Sequence, residues 1–544
     1  MNKIYKLIFA LFVLPFITGC NSWLDVDSDT NVLEKDLFKT GEGFRSSLNG
    51  IYTLLGGNNL YGGELTYGLS SIATKIYDEK SLTEGIGSTN KYTEFLRGNP
   101  ENEELKMVTS SIWADTYRAI ANCNNLIKYT EKASSDIFEQ GELERKLILG
   151  ESIAVRALLH FEIFRLFGYM PNEAGAGEKR IPYVTKFPIK QPTYNNSTEI
   201  LDYIIKDLRE ARTILKEIDI DKNLVNLNST YLFWLRYKEE LFMGYRGSRM
   251  NYLAVSILLS RAYLYKGDYD QAETIATEIY AYGPDGGMED SIIEFSDTKK
   301  IKLKFRSDLI FGAINRKLYK NYNSATTQNN WKLSNPAAIF GEDINDDIRF
   351  LNLIKDNKST RWNNLPFSPL DEDAEVDGTI APVIRFSEVY HILAECKAQK
   401  GDIEGSLAIL SQLRKARGQF KTVITLDQEK IDEIMEEMSW MGATSFEDLL
   451  DQLAEPENGL TGADALEAYY GYPESSYKKT VSGNYMPPLT ITTKEEMLNA
   501  IYNDYHRESM DEGRSYWLYK RIGKGLDICS TFSLPRIEIE YTAL

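Results

Sequence analysis

The residues of this chain that could do acid–base chemistry are three histidines and a large number of acidic side chains. The chain has 544 residues with 80 acidic side chains and three histidines, His160, His391 and His506. The histidines lie far apart, each within a helical pattern, which favours packed or surface helix positions over catalytic ones. We find no GxSxG, HExxH, P-loop or GxGxxG motif. We therefore predict that the protein is not an enzyme. A surface glycosidase is the alternative from another class, because it needs only two suitably spaced carboxylates.

One acidic loop has part of the spacing of a calcium site. Asp373, Glu375 and Asp377 alternate, and Gly378 stands sixth, where a calcium-binding EF-hand loop requires glycine. The twelfth position requires glutamate, but it is Ile384. We predict a solvated acidic loop, with calcium as the alternative, and we expect no other cofactor and no metal site.

The first cysteine follows a segment typical of exported proteins. Lys3 and Lys6 precede an apolar run over residues 7–17, and two small residues then lead to Cys20. This order of basic, apolar and small segments is that of a secretory signal, and the run is shorter than the ~20 residues needed to span a bilayer. The cysteine resembles that of a bacterial lipobox, which becomes the lipid-bearing first residue after cleavage. We predict that residues 1–19 are removed and that Cys20 carries the lipid.

The other cysteines give no sign of metal or disulfide chemistry. Cys123, Cys396 and Cys529 lie far apart with no CxxC pair. Cys123 and Cys396 fall in helical patterns, and we predict that they are buried apolar residues.

The charge of the chain excludes two classes of partner. The formal net charge is −18, and residues 1–19 contain two lysines and no acid, so removing them would leave −20. Nucleic-acid binding requires clustered Lys and Arg, and a basic patch would be needed to hold anionic lipid. We expect no nucleic-acid partner, and contact with the membrane only through the lipid anchor.

Aromatic residues in polar loops are the candidates for ligand binding. Sugars are held by flat aromatic faces together with amide, carboxylate or guanidinium groups. Residues 56–104 and 283–383 are loop-rich, and such loops often carry binding residues. We favour tryptophans among polar loop residues, because a core position explains them less easily, although loop packing is the alternative for every candidate. The candidate ligand-binding residues are Tyr61, Tyr77, Asp78, Tyr319, Tyr322, Trp331 and Trp362.

Helical periodicity predicts the elements that must position these loops. The segment 144–167 is apolar on more than one side, so we expect it to lie between neighbouring helices. A short strand is predicted over 309–314, and residues 419–489 are predicted to form an irregular insertion. The predicted helices cover 44–55, 107–129, 144–167, 197–215, 431–453 and 492–520.

Two further segments predict helical hairpins. Residues 252–280 and 387–417 each place small apolar residues on both sides of a Gly-Asp turn, at Gly267 and Gly401. This pattern resembles a tetratricopeptide repeat. One helix pair cannot bury its own apolar face, so several pairs imply a stacked solenoid. Helices 107–129 and 144–167 would form a third pair. The predicted fold class is mainly α, a tetratricopeptide-like solenoid with long irregular loops and minor β structure.

Several stretches, in order along nearly the whole chain, are similar to the SusD/RagB family of outer-membrane lipoproteins from Bacteroidetes. They are the lipobox with Trp23-Leu24-Asp25-Val26, FRSSLNGIY from Phe44, WADTYRAIANCNNLI from Trp113, GESIAVRALLHFEIFRLFGYMP from Gly150, residues 254–272, 384–418 and 491–524. The resemblance implies a protein at the cell surface that binds glycans, or peptides in some members. It also implies a SusC-like TonB-dependent transporter as partner, over which the protein acts as a lid.

The late helix departs from the family pattern. Ser515 stands where a second arginine is expected, and Leu518 stands where an aspartate is expected. Acids spaced by four residues share one helix face, and we predict that they form a structural polar network. The residues that do fit the pattern are Asp504, Glu508, Glu512, Gly513 and Arg521.

The sequence thus predicts three parts and one function. Residues 1–19 form the signal, 20–240 an N-terminal part with the first helical pair and binding loops, and 241–544 a C-terminal part with further pairs and insertions. The predicted function is capture of an oligosaccharide at the outer membrane and its delivery to the transporter. Peptide capture is the nearest alternative.

Overall fold

Helices make up most of the described residues, as the periodicity predicts. The computed structural model describes residues 34–83, 90–96, 102–189, 192–221, 227, 241–244, 246–247, 249–287, 308–315, 317–326, 331–359 and 379–523. The helices are α1 Gly41–Leu55, α2 Leu69–Ile72, α3 Glu79–Thr83, α4 Asn90–Leu96, α5 Glu103–Thr130, α6 Gly141–Phe167, α7 Ser197–Asp219, α8 Leu241–Gly244, α9 Tyr252–Lys266, α10 Tyr269–Tyr280, α11 Leu318–Thr326, α12 Pro336–Phe340, α13 Ile348–Leu353, α14 Ser387–Gln399, α15 Ile403–Ala416, α16 Gln428–Glu437, α17 Phe446–Leu453, α18 Gly462–Tyr470, α19 Glu474–Tyr477, α20 Lys494–Ser509 and α21 Ser515–Ile522.

The strands are short and pair two by two. The antiparallel pairs are β1 Ile181–Pro182 with β2 Tyr194–Asn195, β3 Leu309–Asn315 with β6 Thr379–Arg385, β4 Ile354–Lys355 with β5 Lys358–Ser359, and β7 Gln419–Leu426 with β8 Lys478–Tyr485. The strand predicted over 309–314 is confirmed as β3. Across the described residues, no helix is both long and apolar enough to cross a membrane.

The helices stack in chain order around a shared core. Helix α6 packs between α5 and α7, and α9 packs against α7 and α10. Helix α10 then contacts α14, which contacts α15 and α20. From Leu147 onward nearly every residue of α6 is buried, which confirms the prediction that it lies between neighbours. The fold class predicted from the sequence, a mainly helical solenoid, is therefore confirmed.

Two hairpins use the same turn. Gly267 between α9 and α10 has φ +79°, and Gly401 between α14 and α15 has φ +89°, a left-handed conformation that glycine adopts without steric cost. The following residues, Asp268 and Asp402, each accept a hydrogen bond from the backbone N–H three residues later, at 3.1 and 2.8 Å. Each Asp thereby caps the second helix of its hairpin.

Serines join the two helices of each hairpin. The Ser260 hydroxyl on α9 donates to the carbonyl oxygen of Ala272 on α10 at 2.7 Å. The Ser406 hydroxyl on α15 donates to the carbonyl oxygen of Ala394 on α14, also at 2.7 Å. All four residues are buried. The small residues that predicted the hairpins therefore allow the close approach of the two helices.

The insertion at 419–489 has a small core of its own. A continuous register joins β7 and β8 from Gln419↔Tyr485 to Leu426↔Lys478, and α16 to α19 lie between these strands. The single helix predicted over 431–453 is wrong: the structure has α16 and α17, and Gly442 between them has φ +72°. The buried apolar residues of this core are Ile431, Ile434, Met438, Leu449, Leu453, Ala465, Leu466 and Tyr477.

A buried ionic network lies beneath α20. We use this name for Asp308, Asp347, Arg349, Arg385, Arg417, Asp504, Glu508 and Glu512, all less than 5% exposed. The Arg349 guanidinium donates to Asp347 at 2.7 and 2.9 Å, to Asp504 at 2.9 and 3.2 Å and to Glu508 at 3.0 Å. Three carboxylates from two segments therefore share one cation.

The other two arginines extend the network toward the sheet. Arg417 donates to Glu508 at 2.5 Å and to Asp308 at 2.5 Å. Arg385 donates to Asp308 at 2.8 Å and to Glu512 at 2.7 Å, so it links these two carboxylates. Burial alone would raise the pKa of Glu508, but Arg417 and Arg349 hold it well below its usual value. The structural polar network predicted from the spacing of the acids is confirmed.

The departures from the family pattern are accommodated locally. The predicted final helix over 492–520 is two helices, because Asp511 and Gly513 adopt positive φ of 61° and 75° between them. The Ser515 hydroxyl lies 2.8 Å from His506 Nδ1 and 2.7 Å from the Ser509 hydroxyl. Leu518 is buried in a small apolar cluster with α14 and α20 residues. Ser515 and Leu518 thus have buried partners suited to their own chemistry.

Candidate functional site

Three of the predicted ligand-binding residues meet in one cluster. We call Tyr67, Tyr77, Tyr92, Tyr322 and Trp331 the aromatic cluster. The Trp331 ring centroid lies 5.3 Å from that of Tyr77 and 5.7 Å from that of Tyr92, and the Tyr67 and Tyr322 centroids are 5.2 Å apart. The early and middle loops therefore converge, but every ring in the cluster is at least 93% buried.

The hydroxyls of Tyr77, Tyr92 and Tyr322 already have protein partners. The Tyr77 hydroxyl donates to the Asp511 carboxylate, and the Tyr322 hydroxyl donates to the Ser359 carbonyl oxygen at 3.1 Å. Burial and the neighbouring Asp511 carboxylate raise the pKa of Tyr77 well above its usual value. The rings are therefore packed against protein, and little of their surface is open to a ligand in this structure.

Two other candidates also hold the loops in place. The Tyr61 hydroxyl donates to the Glu162 carboxylate of α6 at 2.7 Å, and Tyr61 is 4% exposed. The Asp78 carboxylate accepts from the Ser81 backbone N–H at 2.9 Å, and the Asp78 N–H donates to the Lys332 carbonyl oxygen at 2.8 Å. The Tyr319 side chain, Trp362 and Cys20 lie outside the described residues. Ligand contact by all seven candidates stays a prediction.

Gly513 is the point at which the late turn reaches the early loops. Its N–H donates to the Ser71 hydroxyl at 3.1 Å, and a Cβ built there would lie 2.3 Å from the Leu65 carbonyl oxygen. Together with φ +75°, this contact allows only glycine. Asp511, two residues earlier, accepts the hydrogen bond from the Tyr77 hydroxyl, so the late turn packs against the aromatic cluster.

A second site, open to solvent, lies at the end of the helical hairpins. We call it the terminal groove. It has a volume of about 480 Å³, and α10, α14, α20, α21 and the loop after α6 supply its walls. The lining residues that matter for its chemistry are Asn172, Tyr269, Glu395, Gln399, Asn499 and Arg521.

An ion pair forms the floor of the terminal groove. The two terminal nitrogens of Arg521 donate to the two oxygens of Glu395 at 2.6 and 2.7 Å, a bidentate geometry. The Tyr502 hydroxyl donates to Glu395 at 3.3 Å. Burial alone would lower the pKa of Arg521, but Glu395 raises it above its usual value. The floor is therefore rigid, and its charges cancel.

The histidines are placed for packing. His160 Nε2 accepts from the Val184 N–H and Nδ1 lies beside the Arg156 carbonyl oxygen, each at 2.9 Å, which fixes a neutral ring. Burial lowers the pKa of His160 to about 3 and that of His506 to about 4. His391 Nε2 lies 2.9 Å from Asp504 in the buried ionic network. None of the three lines the terminal groove.

The described residues contain no group of three or more His, Cys, Asp or Glu side chains arranged to hold a metal ion. The acidic loop 373–378 lies outside them. Cys123 and Cys396 are buried free thiols, as predicted, and burial raises the pKa of Cys123 to about 12. Both cysteines are therefore packing residues at neutral pH.

The fold is similar to that of several solved proteins. A SusD superfamily protein from Bacteroides fragilis has a TM-score of 0.58 at 16% identity, covering 90% of this chain and 91% of that one. A SusD superfamily protein from Bacteroides thetaiotaomicron has a TM-score of 0.56 at 19% identity, covering 90% and 93%. A SusD-like carbohydrate binding protein from Bacteroides vulgatus has a TM-score of 0.53 at 15% identity, covering 89% and 84%.

The sequence comparisons agree with the fold. Residues 22–228 match the SusD-like family model described as "Starch-binding associating with outer membrane". The SusD-like protein P38 of Formosa agariphila is 20% identical over 273 residues, which span 50% of this chain and 44% of that relative. The molecule thus has the fold of the SusD superfamily. In sequence, the match to the SusD-like family is confined to residues 22–228, which include several of the segments that carry the predicted SusD/RagB resemblance.

Sequence reasoning missed the terminal groove. Apart from Asn172, its residues fall on helices whose polar positions are typical of solvated faces, and the sequence placed Arg521 only in the structural pattern of the late helix. The one local signal is Tyr269, an aromatic residue directly after the Gly-Asp turn of the first hairpin. That signal does not show which polar residues of α14, α20 and α21 lie beside it.

Proposed function

We propose that this protein is a cell-surface lipoprotein that captures an oligosaccharide and delivers it to a TonB-dependent outer-membrane transporter. The observation that carries the proposal is the match of residues 22–228 to a family described as starch-binding and associated with the outer membrane. The carbohydrate-binding relative of similar fold supports it. Capture needs noncovalent contacts alone, so the proposal requires neither a catalytic group nor a cofactor.

Binding of the purified full-length protein to glycans tests this function. In native gels we expect soluble starch or another neutral polysaccharide of a panel to retard the protein relative to a gel without polysaccharide. A peptide mixture and a set of chromogenic glycosides serve as the alternatives. Capture of peptides with no retardation by any glycan would replace the sugar proposal with peptide capture, and steady release of the chromophore would indicate a glycosidase.

Substitution of Cys20 tests the lipid anchor. We expect Cys20→Ala to lose the incorporation of labelled palmitate that the wild type shows, because Cys20 is the residue predicted to carry the acyl chains, which anchor the protein at about 0.8 kcal/mol per buried CH₂. Cys529→Ala, a substitution of another cysteine, is the matched control and should keep the label. Incorporation of the label into Cys20→Ala would contradict the anchor.

The transporter should co-purify with the wild-type protein from solubilised outer membranes.

A further inference from the structure

We infer that the terminal groove is a binding site for a neutral, polyhydroxylated ligand, namely a short segment of an oligosaccharide. The inference rests on the proposed function, and it assigns to glycan binding a surface that differs from the loop-borne aromatic cluster. Four features of the groove carry it: its size, its charge balance, its side-chain amides and its aromatic wall.

The size of the groove is that of a small-molecule site. Its volume of about 480 Å³ falls within the roughly 300–1,000 Å³ typical of ligand pockets. Behind it lies a cavity of about 30 Å³, which shares Glu395, Tyr502 and Arg521 with the groove. That cavity has room for little more than a water molecule, so a ligand would lie in the groove itself.

The charges that line the groove balance one another. Glu395 is paired with Arg521 on the floor, and Lys494 and Glu495 add one charge of each sign near the start of α20. The Lys494 ammonium donates to the backbone carbonyl oxygen of Gln399 at 3.0 Å. An ionic ligand would gain little net attraction here while losing its hydration. A neutral ligand avoids that cost.

Three side-chain amides supply the hydrogen-bonding capacity. The amide groups of Asn172, Gln399 and Asn499 line the groove and make no hydrogen bond within the part of the chain that the structure describes. Each amide offers two donor hydrogens and an acceptor oxygen. A sugar hydroxyl is both donor and acceptor, so amides suit it without requiring a charge.

Tyr269 gives the wall an aromatic surface. It begins α10 and is only partly buried. Burial and the nearby Glu395 raise its pKa, so the phenol is neutral at physiological pH and its ring offers an apolar surface to sugar C–H groups. The ring and the amides are thus held by separate helices around one rigid floor.

Removal of the amides tests the inference on the full-length protein. The probes are maltohexaose and a panel of other neutral oligosaccharides, measured by isothermal titration. We expect the double variant Gln399→Ala/Asn499→Ala to bind about tenfold more weakly than the wild type, from the loss of two hydrogen bonds. Tyr269→Ala should weaken binding in the same way. Because both amides lack a protein partner among the described residues, we expect the double variant to unfold at the wild-type temperature.

The control is Asn49→Ala, an exposed amide on α1 outside the groove, which should bind like the wild type. If the wild type binds an oligosaccharide and the groove variants bind it equally well, the inference is wrong and the proposed function stands. If the wild type binds no oligosaccharide, both are wrong. If the groove variants keep glycan binding but no longer co-purify the transporter, the groove is a protein interface, which also overturns the inference.

Discussion

Replacement of Arg349 by methionine is expected to lower the free energy of unfolding by about 3–5 kcal/mol, the cost of breaking a buried ion pair. Arg349 is 1% exposed and is the cation that Asp347, Asp504 and Glu508 share. Without it, three carboxylates lie close together with less positive charge beside them, because Arg417 pairs only with Glu508 among the three, so their repulsion and desolvation are less well compensated. The midpoint and slope of urea denaturation measure the change.

Arg118→Met is the matched control. Arg118 forms an ion pair with Asp115 on α5 at 2.8 Å, but 61% of its side chain is exposed, so its loss should cost less than about 1 kcal/mol. An Arg349→Met variant as stable as Arg118→Met would show that the buried ionic network does not stabilise the fold in the way proposed here.

Mild acid is expected to destabilise the protein through two buried histidines. The pKa of His160 is lowered to about 3 and that of His506 to about 4, whereas both have a pKa of about 6.5 in the unfolded chain. Below pH 6.5 the unfolded state binds more protons, so stability falls as the pH falls. Between pH 6.5 and 5 each histidine should cost about 2 kcal/mol, at 1.36 kcal/mol per pH unit.

The local environments explain why these rings stay neutral. Nε2 of His160 now accepts a hydrogen bond from the Val184 N–H, so a second proton on that nitrogen would face this N–H. The Arg156 guanidinium, also nearby, disfavours the charged ring as well. His506 lies next to Arg507, which further lowers its pKa. The buried carboxylates do not interfere, because a depressed pKa such as that of Glu508 removes stability only below about pH 4.3, the unfolded value.

Urea denaturation at pH 7, 6 and 5 checks this expectation, with His160→Gln as the informative variant. Glutamine does not titrate, so His160→Gln should lose about half of the pH dependence whatever its stability at pH 7. A wild type equally stable at pH 7 and pH 5, or a variant with the full wild-type slope, would contradict the assignment.

Much of the scaffold follows from local patterns. The Gly-Asp turns at Gly267 and Gly401 and the apolar spacing around them predict both hairpins, since glycine is the residue that the left-handed turn favours. The spacing of Asp504 and Glu508 predicts one shared helix face. Such features depend on residues a few positions apart, so the sequence carries them directly.

The sites depend on contacts between distant segments and could not be predicted in the same way. Trp331 has polar neighbours along the chain, which favours an exposed position, but its neighbours in space are Tyr77 and Tyr92. Likewise, nothing local brings Gln399 beside Asn499. The exposure of a residue depends on the segments that cover it in the folded chain, whereas local composition describes only its neighbours in sequence.

The contact between the late turn and the early loops has a consequence for the order of folding. Ribosomes make the N-terminus first, so Tyr77 and Ser71 exist long before Asp511 and Gly513, their partners 434 and 442 residues later. Contacts of such sequence separation form slowly, because the entropy of closing the loop is lost before the contact forms. Tyr322 and Trp331 can cover the early aromatic residues sooner, but the hydrogen bonds to Asp511 and Gly513 can form only when the chain is nearly complete.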